Sequence, residues 1–132
     1  MNLTKRFLQA VFAVVFAVST LVIAAAPASA ATHTIKMGAD NGMLVFEPNN
    51  LTVGAGDTVS WAINKMPPHN VVFDSANAPD AALAKAMSNT KMMFAAGETY
   101  DVTIPADATS GTYTYFCSPH RGAGMIGKLT IQ

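Results

Sequence analysis

Beyond residue 30 the chain reads as short apolar–polar alternations cut by turn residues. Thr34-Ile35-Lys36-Met37 alternates until Gly38-Ala39-Asp40-Asn41-Gly42 breaks it. Met43 to Phe46 is apolar, Glu47-Pro48-Asn49-Asn50 turns the chain, and Leu51-Thr52-Val53 resumes before the turn Gly54-Ala55-Gly56-Asp57. Thr58 to Ile63 alternates strictly, which puts Val59, Trp61 and Ile63 on one face, with Trp61 as a core residue. His69 to Phe73 is a further short strand. Pro79 to Met87, rich in alanine, predicts one or two helical turns with Asp80 near the start. Glu98 to Ile104 gathers Tyr100, Val102 and Ile104 on one side, and Gly111–Cys117 and Met125–Ile131 are the last two strands. Short strands at this spacing predict an all-β, two-sheet sandwich in one domain, with one short helical segment.

The first thirty residues follow another pattern. Lys5 and Arg6 precede an almost wholly apolar run from Phe7 to Ala26, and Ala28-Ser29-Ala30 has the small-x-small form of a signal-peptidase site. The expectation is a signal peptide over 1–30 that is removed and a functional domain over 31–132. Lys5-Arg6 is not a twin arginine, so export precedes folding and any metal is loaded afterwards.

Charge and cysteine content narrow the function. The chain has eight basic and eight acidic groups. Losing Lys5 and Arg6 leaves six against eight, a formal charge of minus two, without the basic face that nucleic acid requires. Cys117 is the single cysteine, so the chain has no internal disulfide. In an exported protein such a residue is a core thiol, an intermolecular bridge, a reactive group or a metal ligand.

Its neighbours favour the last. In Cys117-Ser118-Pro119-His120-Arg121-Gly122-Ala123-Gly124-Met125, a thiolate, an imidazole and a thioether lie between two predicted strands. Thiolate plus two imidazoles, with a weak axial methionine, is the donor set of a blue-copper electron-transfer site. The second imidazole is assigned to His69 in Pro67-Pro68-His69-Asn70, giving one copper ion held by His69, Cys117, His120 and Met125. Pro119 stiffens the ligand loop, and Gly122 and Gly124 are expected to let it fold back sharply. His33 lies third from a chain start at Ala31, where an amine, two amides and an imidazole could wrap a second Cu(II); an ordinary exposed strand histidine is the preferred reading.

Phe116-Cys117-Ser118-Pro119-His120-Arg121-Gly122-Ala123-Gly124-Met125-Ile126-Gly127, together with Pro67-Pro68-His69-Asn70-Val71-Val72-Phe73-Asp74, resembles the plastocyanins, of the cyanobacterial type. The resemblance spans residues 31–132. It implies a cupredoxin-like Greek-key sandwich that binds copper at the four residues above. It also implies a monomeric carrier in the thylakoid lumen, at most peripheral to the membrane, moving electrons from cytochrome f of the b6f complex to photosystem I through transient contacts. Asn70 would tie the two ligand loops together, with Ser118 as partner. Leu44, Pro68, Gly122 and Ala123 would form a flat apolar patch around His120, and Arg121 would supply steering charge. Two features depart from the pattern: Phe116 stands where plastocyanins commonly carry tyrosine, and the segment 74–80 lacks the acidic clusters of plant members.

Other chemistries fit less well. A pseudoazurin- or amicyanin-like periplasmic carrier keeps the copper and changes the partners, and the ligand loop argues against it. Copper storage would call for clustered methionines or paired cysteines, and a multicopper oxidase for more than three histidines. A Cys-His hydrolase needs an accessible nucleophile beside an oxyanion site, whereas Cys117 sits in an apolar strand. No enzymatic activity is expected.

Overall fold

The computed structural model describes residues 29–132, so the expected signal segment lies outside the described residues apart from Ser29 and Ala30. Nine strands and one α-helix follow in the order β1 (Thr32–Met37), β2 (Phe46–Glu47), β3 (Asn50–Val53), β4 (Thr58–Ile63), β5 (His69–Phe73), α1 (Ala81–Met87), β6 (Asn89–Met93), β7 (Thr99–Thr103), β8 (Gly111–Phe116) and β9 (Ile126–Ile131). They form a four-stranded sheet, β2-β1-β4-β7, facing a five-stranded sheet, β3-β9-β8-β5-β6. The β1–β4 and β3–β9 pairs are parallel and the others antiparallel. The expected two-sheet sandwich with one short helix is therefore what the chain builds. Among the described residues no helix is long and apolar enough to cross a membrane.

The alternation in β4 carries the packing. Val59, Trp61 and Ile63 are buried while their neighbours are half-exposed. Trp61 lies edge-on to Tyr115 of the opposite sheet, with ring centroids 5.5 Å apart, and Tyr115 meets Phe46 at 4.7 Å. These rings join the two sheets. Each large apolar side chain so buried contributes roughly 1.5–3 kcal/mol relative to exposure.

Helix α1 starts where the sequence predicts. The Asp80 carboxylate accepts hydrogen bonds from the Ala82 and Leu83 N–H groups at 2.9 and 3.1 Å, capping donors that the first turn leaves free. Ala84 and Met87 face the core.

Two segments differ from the sequence reading. Of the apolar stretch Met43–Phe46, only Phe46 pairs in a strand. The rest belongs to a loop closed by Gly38 N–H to Val45 O and Ala39 N–H to Met43 O. Strand β6 is not foreshadowed, because Asn89-Thr90-Lys91-Met92-Met93 is a sheet edge that buries only Met93. An edge strand needs no alternating apolar face, and a lysine on it is ordinary.

Candidate metal centre

Three segments place the donors at one end of the sandwich. His69 opens β5, next to the loop that leaves β4. Cys117 follows β8 directly, and its strand-like backbone (φ −94°, ψ 119°) leads into a 3-10 turn over Ser118–Ala123 that carries His120. Met125 lies between that turn and β9. Proline suits the first turn of a helix, where its missing N–H costs nothing, and Pro119 takes that place.

The loop closes by its own hydrogen bonds. Cys117 N–H donates to Met125 O at 3.1 Å, His120 N–H to Cys117 O at 3.2 Å, and Met125 N–H to His120 O at 3.2 Å. Gly124 ends the turn at φ +87°, a left-handed conformation that glycine adopts without a Cβ clash. Gly122 does not behave as expected. Its φ lies outside the left-handed range and a Cβ there would meet nothing, so it contributes no sharp return.

His69 Nδ1 and His120 Nδ1 are 3.2 Å apart, and Cys117 Sγ lies 3.6 and 3.5 Å from them. Atoms that each lie about 2.0–2.3 Å from one ion at near-tetrahedral angles are separated by about 3.3–3.6 Å. The three edges of this triangle therefore fit a single soft metal ion. His69, Cys117 and Met125 are fully buried, and His120 is half-exposed at the rim.

Surrounding groups orient the donors. His69 Nε2 donates to the Lys65 carbonyl at 2.6 Å, which puts the ring proton on Nε2 and leaves the Nδ1 lone pair toward the sulfur. Burial holds the His69 imidazole below its ordinary value, and the neighbouring His120 adds to the effect while the Lys65 hydrogen bond opposes it. The ring is thus neutral and ready to donate. Burial also raises the Cys117 thiol, partly offset by the Asn70 and His120 backbone N–H groups. A metal cation held here would supply the pull that removes the thiol proton.

Asn70 joins the two ligand segments. Its Oδ1 accepts from Ser118 N–H at 2.8 Å, and its Nδ2 donates to Ser118 Oγ and to Thr90 O, both at 3.1 Å. Leu44 and Pro68 lie in loops, and Arg121, Gly122 and Ala123 in the 3-10 turn, at this same end. Leu44 and Pro68 are half-buried and the other three exposed. His33 is remote from the donors, at the start of β1, where its Nε2 lies 3.0 Å from Asp57 Oδ2.

The sequence reading missed Met43, Met66 and Phe94, which are 58, 56 and 64 % exposed. With Ile126 they are the large apolar side chains left open among the described residues, and each sits at or beside a loop of the donor end. Met43 follows Gly42, Met66 precedes Pro67 and Phe94 precedes Ala95-Ala96-Gly97, and large apolar residues beside such turn-forming ones are the available signal.

The family model described as copper binding proteins, plastocyanin/azurin family, matches residues 33–132. The chain belongs to that family. It is 48 % identical to a plastocyanin of Nostoc punctiforme over 130 residues, covering 97 % of this chain and 94 % of the relative. Identity to a plastocyanin of Prochlorothrix hollandica is also 48 %, over 131 residues covering 99 and 96 %. Among solved structures, the oxidised plastocyanin of Dryopteris crassirhizoma matches with a TM-score of 0.64 and 32 % identity, covering 75 % of this chain and 99 % of the other. This is a copper-binding cupredoxin that carries electrons, and the donor triangle is where its chemistry fits.

Proposed function

We propose that His69, Cys117, His120 and Met125 hold one copper ion, and that the domain over 31–132, freed of residues 1–30, shuttles electrons from cytochrome f to photosystem I in the thylakoid lumen. The observation that supports this most is the donor triangle, closed to 3.2–3.6 Å by the protein's own hydrogen bonds. Bound copper supplies a one-electron couple between Cu(I) and Cu(II). The chain's part is to hold its donors still while the charge changes, so that little must rearrange with each electron. Asn70, the Lys65 carbonyl and the turn hydrogen bonds are the groups that do this. Burial of three of the four proposed donors disfavours the state of higher charge and so favours the reduced form. The half-exposed His120 gives the electron its way out.

Partner contact falls to the surrounding apolar end, with Leu44, Pro68, Gly122 and Ala123 around His120 and Arg121 beside it. A small apolar surface with few anchors suits a partner that must leave quickly. The near full-length similarity to cyanobacterial plastocyanins favours this pair of partners over periplasmic ones. Adding Cu(II) to the purified domain should give an intense blue absorption that ascorbate bleaches and Cys117→Ser abolishes. Stopped-flow reduction by cytochrome f and flash oxidation by photosystem I then test the route. A colourless protein would overturn the site, and a blue protein inert toward both partners would overturn the route.

A further inference from the structure

The alternation that buries Tyr113, Tyr115 and Cys117 turns Phe116 outward. There it stands in a cross-strand row with Val72 of β5 and Ile126 of β9. Three apolar residues abreast on the outer face of a sheet leave a ring face available, and Arg121 takes it, with Cζ 3.9 Å from the ring centroid. Arginine readily stacks on aromatic faces because its delocalised cation is weakly hydrated and is drawn to the ring quadrupole.

Among the described residues nothing else holds this side chain. Among the described residues the ion pairs are His33–Asp57 and Lys36–Asp40, and no hydrogen bond is formed by the Arg121 guanidinium. The Asp74 carboxylate has its pKa lowered chiefly by its Asn77 hydrogen bond and least by Arg121, and its oxygens accept from Ala76 N–H and Asn77 Nδ2 rather than from the guanidinium. The guanidinium therefore has its position set by an aromatic ring and its N–H donors left over. It stands one residue from His120, where electrons are proposed to pass.

We propose that Phe116 is a positioning residue for Arg121, holding the guanidinium at the rim beside His120 so that its free donors meet a carboxylate on an acidic redox partner. The proposal deepens the docking reading above and rests on it. An unstacked arginine would lose rotamer freedom on docking; a stacked one has already lost it, which favours contact. Guanidinium donors match a carboxylate two to two, so a lysine at this position would not substitute fully.

The test uses the copper-loaded protein in its diamagnetic Cu(I) form for NMR and its Cu(II) form for kinetics. Arg121 Nε–H relaxation should report a restricted side chain in the wild type and in Phe116→Tyr, and a mobile one in Phe116→Leu. At low ionic strength the rate of reduction by cytochrome f should fall about tenfold in Arg121→Gln and about threefold in Phe116→Leu, and both gaps should narrow with added salt. In the Arg121→Gln background, Phe116→Leu should change the rate no further. An equally ordered guanidinium without the ring would overturn the proposal, as would a Phe116→Leu defect that persists undiminished without Arg121. Oxidation of the Cu(I) protein by hexacyanoferrate(III), a small anion, is measured alongside. If wild-type protein ignores cytochrome f, the partner assignment fails, while the NMR and hexacyanoferrate comparisons still decide the role of Phe116.

Discussion

The Lys65 carbonyl accepts a 2.6 Å hydrogen bond from His69 Nε2, and that bond decides which imidazole nitrogen is free. A carbonyl can only accept, so the proton sits on Nε2 and the Nδ1 lone pair turns to Cys117 Sγ, 3.6 Å away. The orientation of a buried donor thus depends on a peptide in the preceding loop, and that peptide leans on β1's exit, where Gly38 leaves no room for a Cβ.

Gly38→Ala should therefore injure both fold and site. The new Cβ would collide with the Lys65 carbonyl oxygen, and the backbone φ of +84° is costly for alanine. Overpacking and the left-handed backbone together should cost about 2–4 kcal/mol. Displacing the carbonyl that orients His69 should weaken copper binding about 10- to 100-fold. Urea unfolding and competitive copper titration measure the two effects, and an unchanged affinity would show that Lys65 does not set the ring. Gly122→Ala, in open space outside the left-handed region, should change neither.

Met66 points the other way. It is the one non-glycine residue at positive φ among those described, at 54°, and its side chain is 56 % exposed. Met66→Gly removes the left-handed penalty but adds freedom to the unfolded chain, so the expected gain is about 0.5–1 kcal/mol. The visible spectrum should not change, because the Lys65 carbonyl stays in place. A loss of stability would mean that the Met66 side chain packs better than its exposure suggests.

Asn70→Ala should loosen the two ligand segments from each other. It removes two hydrogen bonds to Ser118 and one to Thr90, at a residue only 1 % exposed. Partners left unpaired in so closed a place should make the loss about 2–4 kcal/mol. A thermal midpoint within a degree of wild type would show that these bonds contribute little.

What the chain spelled out in advance was whatever required one face of a strand to be apolar. Val59, Trp61 and Ile63 announced β4, and Asp80 before an alanine-rich run announced α1. The donor stretch was readable because cysteine, histidine and methionine converge in nine residues between two strands, and because that stretch resembles the plastocyanins. Strand β6 and the open Met43, Met66 and Phe94 left weaker traces. An edge strand answers to backbone pairing rather than to side-chain periodicity. The exposure of a loop methionine depends on which loops gather at one end, which only the assembled sandwich defines. The Phe116–Arg121 stack belongs with these: residues five apart meet only because the 3-10 turn folds Arg121 back over the strand it left.

At the other end of the sandwich, Asp57 should govern part of the acid limb of stability. Its carboxylate accepts from the Ala31 N–H at 2.9 Å, the Gly54 N–H at 3.0 Å and the His33 ring at 3.0 Å. The Ala31 bond is the largest of the influences that bring its pKa down from 3.8 to about 2, followed by Gly54 and then His33. A carboxyl whose folded value lies below its unfolded value stabilises the fold above the unfolded value, and that support fades as pH falls from about 4 to about 2. Asp57→Asn keeps one oxygen for a backbone donor but cannot titrate. Its thermal midpoint should start lower than wild type at neutral pH and fall less steeply across that acid interval, so the two curves converge. Parallel curves would show that the carboxylate keeps the same proton affinity folded and unfolded, and that its three hydrogen bonds only shape the turn.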